Sequence, residues 1–148
     1  MVQKVDLIIE NNSIEVSSMS ENILSKVYFR IGEKIFPDEG WSDFTVIILG
    51  WWIEELAKLE IGSKTFLLSF MDGPLHVKGF LKGNNTVELV FTRERQNKDE
   101  VIFPAVCDIG QLKVAIYKAA KELIDELEKR GVDNKDVIKL KLLMTTNY

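Results

Sequence analysis

The chain of 148 residues is 46% hydrophobic and 28% charged, a composition that excludes an intrinsically disordered protein and is sufficient for one packed core. Its 19 basic and 23 acidic residues give a formal charge of -4, which disfavours nucleic-acid and anionic-membrane partners and favours a basic one. The single cysteine, Cys107, excludes an intramolecular disulfide and a metal site made of several cysteines, and it is consistent with a reducing compartment.

The N-terminal residues 1–10 include the charged Asp6 and Glu10 and contain no signal-like apolar run. The longest apolar run, residues 46–53, is far shorter than the roughly 20 residues needed to span a bilayer. We therefore expect a cytoplasmic protein that folds as one domain over residues 1–148.

A meander of three strands is predicted at the start of the chain, because apolar and polar residues alternate there. Two strands cover residues 4–9 and 13–19, with a turn at residues 11–12, and the third includes residues 27–31. The loop 36–41, which is rich in turn-forming residues, leads out of the meander.

A central helix is predicted next, with Ser42 or Asp43 as its cap, Glu60 near its end and Gly62 as its terminator. The β-branched run 45–48 also fits a short strand that gives way to a helix, and this alternative is left open.

Two adjacent tryptophans fall on different sides of this helix when successive residues are placed 100° apart. Trp52 lies on the broad apolar arc and is expected in the core. Trp51 shares the remaining face with Glu54, Glu55 and Lys58, and it is expected to point toward solvent or a partner.

The middle of the chain predicts three strands by apolar alternation, at residues 66–70, 75–81 and 87–91. Turns are predicted at Asp72-Gly73 and at Gly83-Asn84, both of which are common hairpin dipeptides. The charged run 93–100 predicts a solvated loop that leads to a fourth strand, residues 101–107.

The C-terminal third changes to a helical period. Residues 109–130 place their apolar side chains on one stripe, and Gly131 ends that helix. Residues 133–143 fit either a short helix capped by Asp133 or a last strand, and the helix is preferred. The fold class expected from this order is α+β, with a single, mostly antiparallel sheet on which a central and a C-terminal helix pack.

Residues with catalytic or metal-binding chemistry are sparse. The only histidine, His76, shares a strand face with Lys78 and Phe80, and its local sequence offers neither a nucleophile nor an orienting group. Cys107 continues an alternating apolar series, which is typical of a buried thiol. Because the common phosphate-binding and nucleophile motifs are absent, we predict no enzyme activity, cofactor or metal, and leave carboxylate chemistry of an unfamiliar type open.

An interaction surface is predicted around Trp51, because an exposed indole offers contact area at low entropic cost and nearby carboxylates attract a basic partner. The predicted partner-binding residues are Trp51, Glu54, Glu55, Asp38, Glu39 and Asp43. An alternative is also open at this point, in which Trp51 covers the edge of the sheet or lies under the N-terminal strands, with the acids as a solvated border.

Three short patterns occur in the central third of the chain: Trp41-x-Asp43-Phe44, Leu49-x-Trp51-Trp52 and Phe70-Met-Asp72-Gly73-Pro74. In these the chain resembles small, acidic, largely uncharacterised bacterial proteins, some of them similar to immunity proteins of polymorphic or contact-dependent toxin systems. The similarity covers about residues 36–82. It implies a protein that binds a cognate toxin domain and masks its active site, with acidic residues complementing a basic toxin.

The expected function is thus stoichiometric protein binding, with a bacterial toxin domain as the partner that the resemblance implies. A domain of another class is the alternative, one that binds a small ligand or a second subunit. In that case Trp41 and Trp51 would close over an apolar pocket between helix and sheet.

Overall fold

The computed structural model describes residues 2–19, 21–71, 73–83 and 85–147. Two antiparallel sheets and three α-helices form within these ranges. The elements in chain order are β1 (Val5–Ile9), β2 (Glu15–Val16), β3 (Ile23–Ile31), β4 (Lys34–Phe36), β5 (Ser42–Asp43), α1 (Thr45–Ala57), β6 (Thr65–Ser69), β7 (Leu75–Leu81), β8 (Thr86–Arg95), β9 (Lys98–Asp108), α2 (Ile109–Lys129) and α3 (Lys135–Asn147).

The first sheet has five strands and is organised around β3, with which each of the other four pairs antiparallel. The β1 register sets Val5 opposite Ile31 and Ile9 opposite Val27. The predicted turn between the first two strands is a short 3-10 helix, Asn11–Ser13. Three N-terminal strands are therefore confirmed, but their arrangement as a meander is wrong: the order is β1-β3-β2, so β1 and β2 each pair with β3 and, in the described part of the chain, not with each other. β2 is shorter and β3 is longer than the alternation indicated.

The second sheet is a four-stranded meander in the order β6-β7-β8-β9. The broad α+β class is confirmed, but the prediction of a single sheet is wrong. Side chains of α1 occupy the outer edge of β6, where Glu55 and Trp52 hydrogen bond to its backbone, and within the described residues no N-terminal strand pairs there. The sheets connect instead at β9, where Gln3 N donates to Val106 O over 2.7 Å and Val106 N donates to Gln3 Oε1 over 3.1 Å.

The core lies between the sheets and the helices and is rich in aromatic rings. Phe29 of β3 stacks on Trp52 of α1 at 5.3 Å between centroids, and Phe70 meets Trp52 edge-on at 5.2 Å. Phe91 and Phe103, opposite each other on β8 and β9, stack at 4.6 Å. Rings from both sheets and from α1 therefore form one continuous core.

The charged segment 93–100 is part of a long hairpin, so its prediction as a loop is wrong. β8 and β9 continue to a two-residue turn at Gln96 and Asn97, whose φ angles of 53° and 65° match the turn that suits the twist of a hairpin. Arg93 lies opposite Glu100, and this pairing of opposite charges favours the extended form. The alternating charges of this segment resemble those of a solvated coil, and Gln-Asn is a weak signal for a hairpin turn.

Helix termini differ in detail from their predictions. Residues 42 and 43 form β5 rather than a cap, and α1 begins at Thr45 without a side-chain cap. The preference for a helix at the C-terminus is confirmed, with Asn134 rather than Asp133 accepting from the amides of Asp136 and Val137, each at 3.1 Å. The predicted turns at residues 72–73 and 83–84 include Asp72 and Asn84, which lie outside the described residues.

Candidate functional site

The two tryptophans of α1 occupy opposite environments, as the helical spacing predicts. Trp52 is 0% exposed, whereas Trp51 is 38% exposed on the outer side of the helix. The division of the two rings between core and surface is therefore confirmed. Trp51 lies beside β6, not beneath the N-terminal strands, because the groove next to it is lined by Leu67 and Ser69.

The outer edge of β6 is covered mainly by side chains. Two of its backbone groups hydrogen bond to side chains of α1: Leu67 N donates to Glu55 Oε1 over 2.8 Å, and Ser69 O accepts from Trp52 Nε1 over 2.8 Å. Just past the strand, Met71 N donates to Asp43 Oδ1 of β5 over 3.3 Å. The hydroxyl of Ser63 donates to the Thr65 carbonyl and accepts from the Thr65 amide. Side chains thus occupy most of the positions that another strand would take.

One donor and one acceptor on this edge stay open. Among the described residues, neither the carbonyl of Leu67 nor the amide of Ser69 has a protein partner. Both residues border a groove of about 380 Å³ that separates β6 from α1. The other residues that line this groove are Trp51, Glu54, Glu55 and Lys58. We call this space, with its six lining residues, the α1–β6 groove.

The predicted acidic residues do not form one set in the structure. Asp38 and Glu39 are exposed in the loop before β5, and Glu54 is exposed in the α1–β6 groove. Glu55 is half-buried, and its carboxylate is engaged by the Leu67 amide and by the ammonium of Lys58. Only Glu54 therefore contributes an uncompensated negative charge to the groove within the described residues.

Asp43 does not belong to an exposed rim, and its placement there is corrected. Its side chain is 0% exposed. Oδ1 accepts from the Phe44 amide at 2.7 Å and Oδ2 accepts from Trp41 Nε1 at 3.1 Å, in addition to the bond from Met71. The carboxylate turns inward because the short strand β5 brings it over these donors, so it organises the loop instead of meeting solvent.

Trp41 is separated from Trp51. Its ring packs edge-on against Phe70 at 6.4 Å, and its indole N–H is held by Asp43. The residues that line the α1–β6 groove do not include Trp41. The structure therefore does not bring the two rings together over one pocket.

His76 has a neighbour that its local sequence did not reveal. Its Nε2 lies 3.5 Å from Asp99 Oδ1, and Lys78 also pairs with Asp99. The hydrogen bond from Lys78 lowers the pKa of Asp99, and the positive charge of Lys78 acts in the same direction against the opposing effect of burial. Ser69 is the register partner of His76, but within the described chain no hydrogen bond links Ser69, His76 and Asp99 as nucleophile, base and acid.

Burial raises the pKa of the Cys107 thiol from 9.0 to about 11, and the Asp108 carboxylate adds to the shift. Because each pKa unit changes the thiolate fraction tenfold, we expect an aromatic disulfide reagent at pH 8 to modify the folded protein at least about 100-fold more slowly than the unfolded one. The unfolded thiol ionises first, so this group's contribution to stability is full below pH 9 and is lost as the pH rises toward 11. Fast modification of the folded protein would contradict the burial of Cys107.

No protein-family model matches the chain, and neither curated proteins nor solved structures show significant similarity to it. None of the helices in the described ranges combines the length and apolar content needed to cross a membrane. Across the same ranges, no group of three or more His, Cys, Asp and Glu side chains is arranged to hold a metal ion.

Proposed function

We propose that the chain is a stoichiometric protein-binding module and that the α1–β6 groove is its contact surface. The observation that carries this proposal is the partly exposed indole of Trp51 on α1, beside open hydrogen-bonding groups of an edge strand. Leu67, 41% exposed, extends the apolar surface on the strand side. A tryptophan with a polar surrounding is the composition most often found at the energetic centre of protein interfaces.

The partner proposed for this surface is a basic protein. Glu54 supplies a carboxylate next to Trp51 that has no ion-pair partner within the described ranges, and Asp38 and Glu39 add negative charge in the loop that precedes β5. Charges of this kind accelerate the association of an oppositely charged partner and fix its orientation. Together with the resemblance in residues 36–82, this supports a cognate bacterial toxin domain as the partner, inhibited by occlusion of its active site.

The test is a comparison of two exposed apolar side chains on different helices. The tagged chain is used to capture proteins from its native host, and the affinity of any stoichiometric basic partner is then measured with purified components. We expect Trp51→Ala to weaken that complex at least about 30-fold, the size of an interface hot spot of about 2 kcal/mol. Ile138→Ala serves as the control, because Ile138 is 50% exposed on α3 and lies outside the groove.

Two results would contradict the proposal. One is the absence of any stoichiometric partner, and the other is a complex that Trp51→Ala and Ile138→Ala weaken equally. Toxin inhibition is tested separately by co-expressing the partner with each variant. Cells should survive with the wild-type chain and with Ile138→Ala, but not with Trp51→Ala.

A further inference from the structure

We infer that the partner inserts an extended peptide segment into the α1–β6 groove, and that one residue of this segment bridges the Leu67 carbonyl and the Ser69 amide through its own backbone. The inference rests on the proposed function and specifies how the partner is recognised. Exposed strand edges are common sites for adding a peptide strand, since main-chain groups supply the hydrogen bonds.

The alternation of backbone groups along β6 shows which of them face the groove. Phe70 N donates to Leu75 O over 3.2 Å, and Leu81 N donates to Lys64 O over 2.8 Å, so even-numbered residues point toward β7. Leu67 and Ser69 therefore direct their amide and carbonyl groups away from β7, and their bonds with Glu55 and Trp52 agree with this direction.

The opening on this edge is one residue wide. Glu55 covers the Leu67 amide on one side, and Trp52 covers the Ser69 carbonyl on the other. Between them lie one acceptor, the Leu67 carbonyl, and one donor, the Ser69 amide. In parallel strand pairing a single residue donates its N–H to the first and accepts from the second through its C=O. Longer strand addition is blocked unless the side chains of α1 move.

The side chains around the opening favour a basic residue on the bound segment. Lys58 already compensates Glu55, so among the residues that the structure describes Glu54 is the carboxylate of the groove without an ion-pair partner. Trp51 is three positions before Glu54 and lies on the same helical face. An arginine guanidinium stacked on the indole of Trp51 can also pair with Glu54, which combines a cation–π contact with a charge-assisted hydrogen bond.

Two substitutions at Ser69 distinguish the contribution of its backbone amide from that of its side-chain hydroxyl. Ser69→Pro removes the outward amide without removing a bond of the β6–β7 ladder, so an edge strand tolerates it. Ser69→Ala keeps the amide and removes only the hydroxyl. We expect Ser69→Pro to weaken the partner complex about tenfold while Ser69→Ala changes it less than about twofold. Equal affinities for the two variants would overturn the inference.

A second measurement uses the wild-type chain, so it does not depend on how Ser69→Pro folds. N-acetyl-arginine N-methylamide, which carries one residue's backbone and a guanidinium, is titrated into ¹⁵N-labelled protein. We expect saturable shifts of the Ser69 amide and the Trp51 indole N–H, and much smaller shifts with the N-acetyl-glutamate analogue. A Ser69 amide that does not respond to the arginine probe would overturn the inference.

The two sets of variants also separate this inference from the proposed function. If Trp51→Ala weakens the complex and Ser69→Pro does not, the groove is the contact surface but the backbone bridge is wrong. If neither variant weakens the complex, both proposals are wrong.

Discussion

Replacing Trp52 with alanine is expected to lower the free energy of unfolding by about 3–5 kcal/mol, the usual cost of removing a fully buried aromatic ring. The indole is 0% exposed and stacks on Phe29 at 5.3 Å, so its removal leaves a cavity in the centre of the core. Its N–H also donates to Ser69 O over 2.8 Å, and that carbonyl would lose its partner. Urea denaturation followed by circular dichroism measures the loss.

The adjacent residue provides the control. Trp51→Ala removes the same number of atoms from the same helix, but from a ring that is 38% exposed. We expect it to cost less than about 1 kcal/mol, the range of most surface substitutions. Large and equal losses from the two substitutions would show that Trp51 supports the core as much as Trp52 does. That outcome would also weaken the case for Trp51 as a binding residue.

Trp52→Phe separates the contribution of the Trp52 ring packing from that of its N–H hydrogen bond. Phenylalanine keeps most of the ring packing against Phe29 and Phe70, but it has no N–H for the Ser69 carbonyl. We expect Trp52→Phe to lower the free energy of unfolding by less than Trp52→Ala does, but measurably. Because Ser69 borders the α1–β6 groove, this variant also tests whether the covering of the β6 edge depends on the Trp52 hydrogen bond.

Local rules were sufficient for the features that depend on periodicity. The 100° spacing of a helix alone separates Trp51 from Trp52, and the alternation of residues in β7 and β8 places Val77 and Leu89 in the core. These predictions succeed because each depends on the geometry of one element. The period of apolar residues along a strand does not determine which strands pair edge to edge. It therefore cannot predict that the strands divide into two sheets.

The candidate site shows the same limit. Glu55 and Leu67 are separated by 12 positions, and their hydrogen bond exists only because α1 lies along β6. The sequence identified Glu55 as an acid on a helical face but could not show that its carboxylate is already engaged. Leu67 did carry a signal, since an apolar residue between Phe66 and Leu68 breaks the alternation of an otherwise regular strand. Ser69 carried none, because its contribution comes from the backbone.

Replacing Asp43 with alanine is expected to lower the free energy of unfolding by about 3 kcal/mol, because hydrogen bonds to a charged acceptor contribute about 1.5–3 kcal/mol and losses at one group are not additive. Among the described residues, the donors that lose their acceptor include the amides of Phe44 and Met71 and the indole N–H of Trp41. These donors belong to the start of α1, the segment after β6 and the preceding loop. A single carboxylate thus ties three parts of the chain together.

The matched control is Asp38→Ala, because Asp38 is exposed and, within the described ranges, its side chain accepts a hydrogen bond only locally, from the Gly40 amide at 2.8 Å within the same loop. We expect it to cost less than about 1 kcal/mol. Equal stability of the two variants, measured by urea denaturation, would contradict the structural role given to Asp43. The two acids also differ in their expected effect on the partner complex. Asp38→Ala should slow association with only this small loss of stability, whereas Asp43→Ala should weaken binding only to the extent that it unfolds the chain or shifts α1.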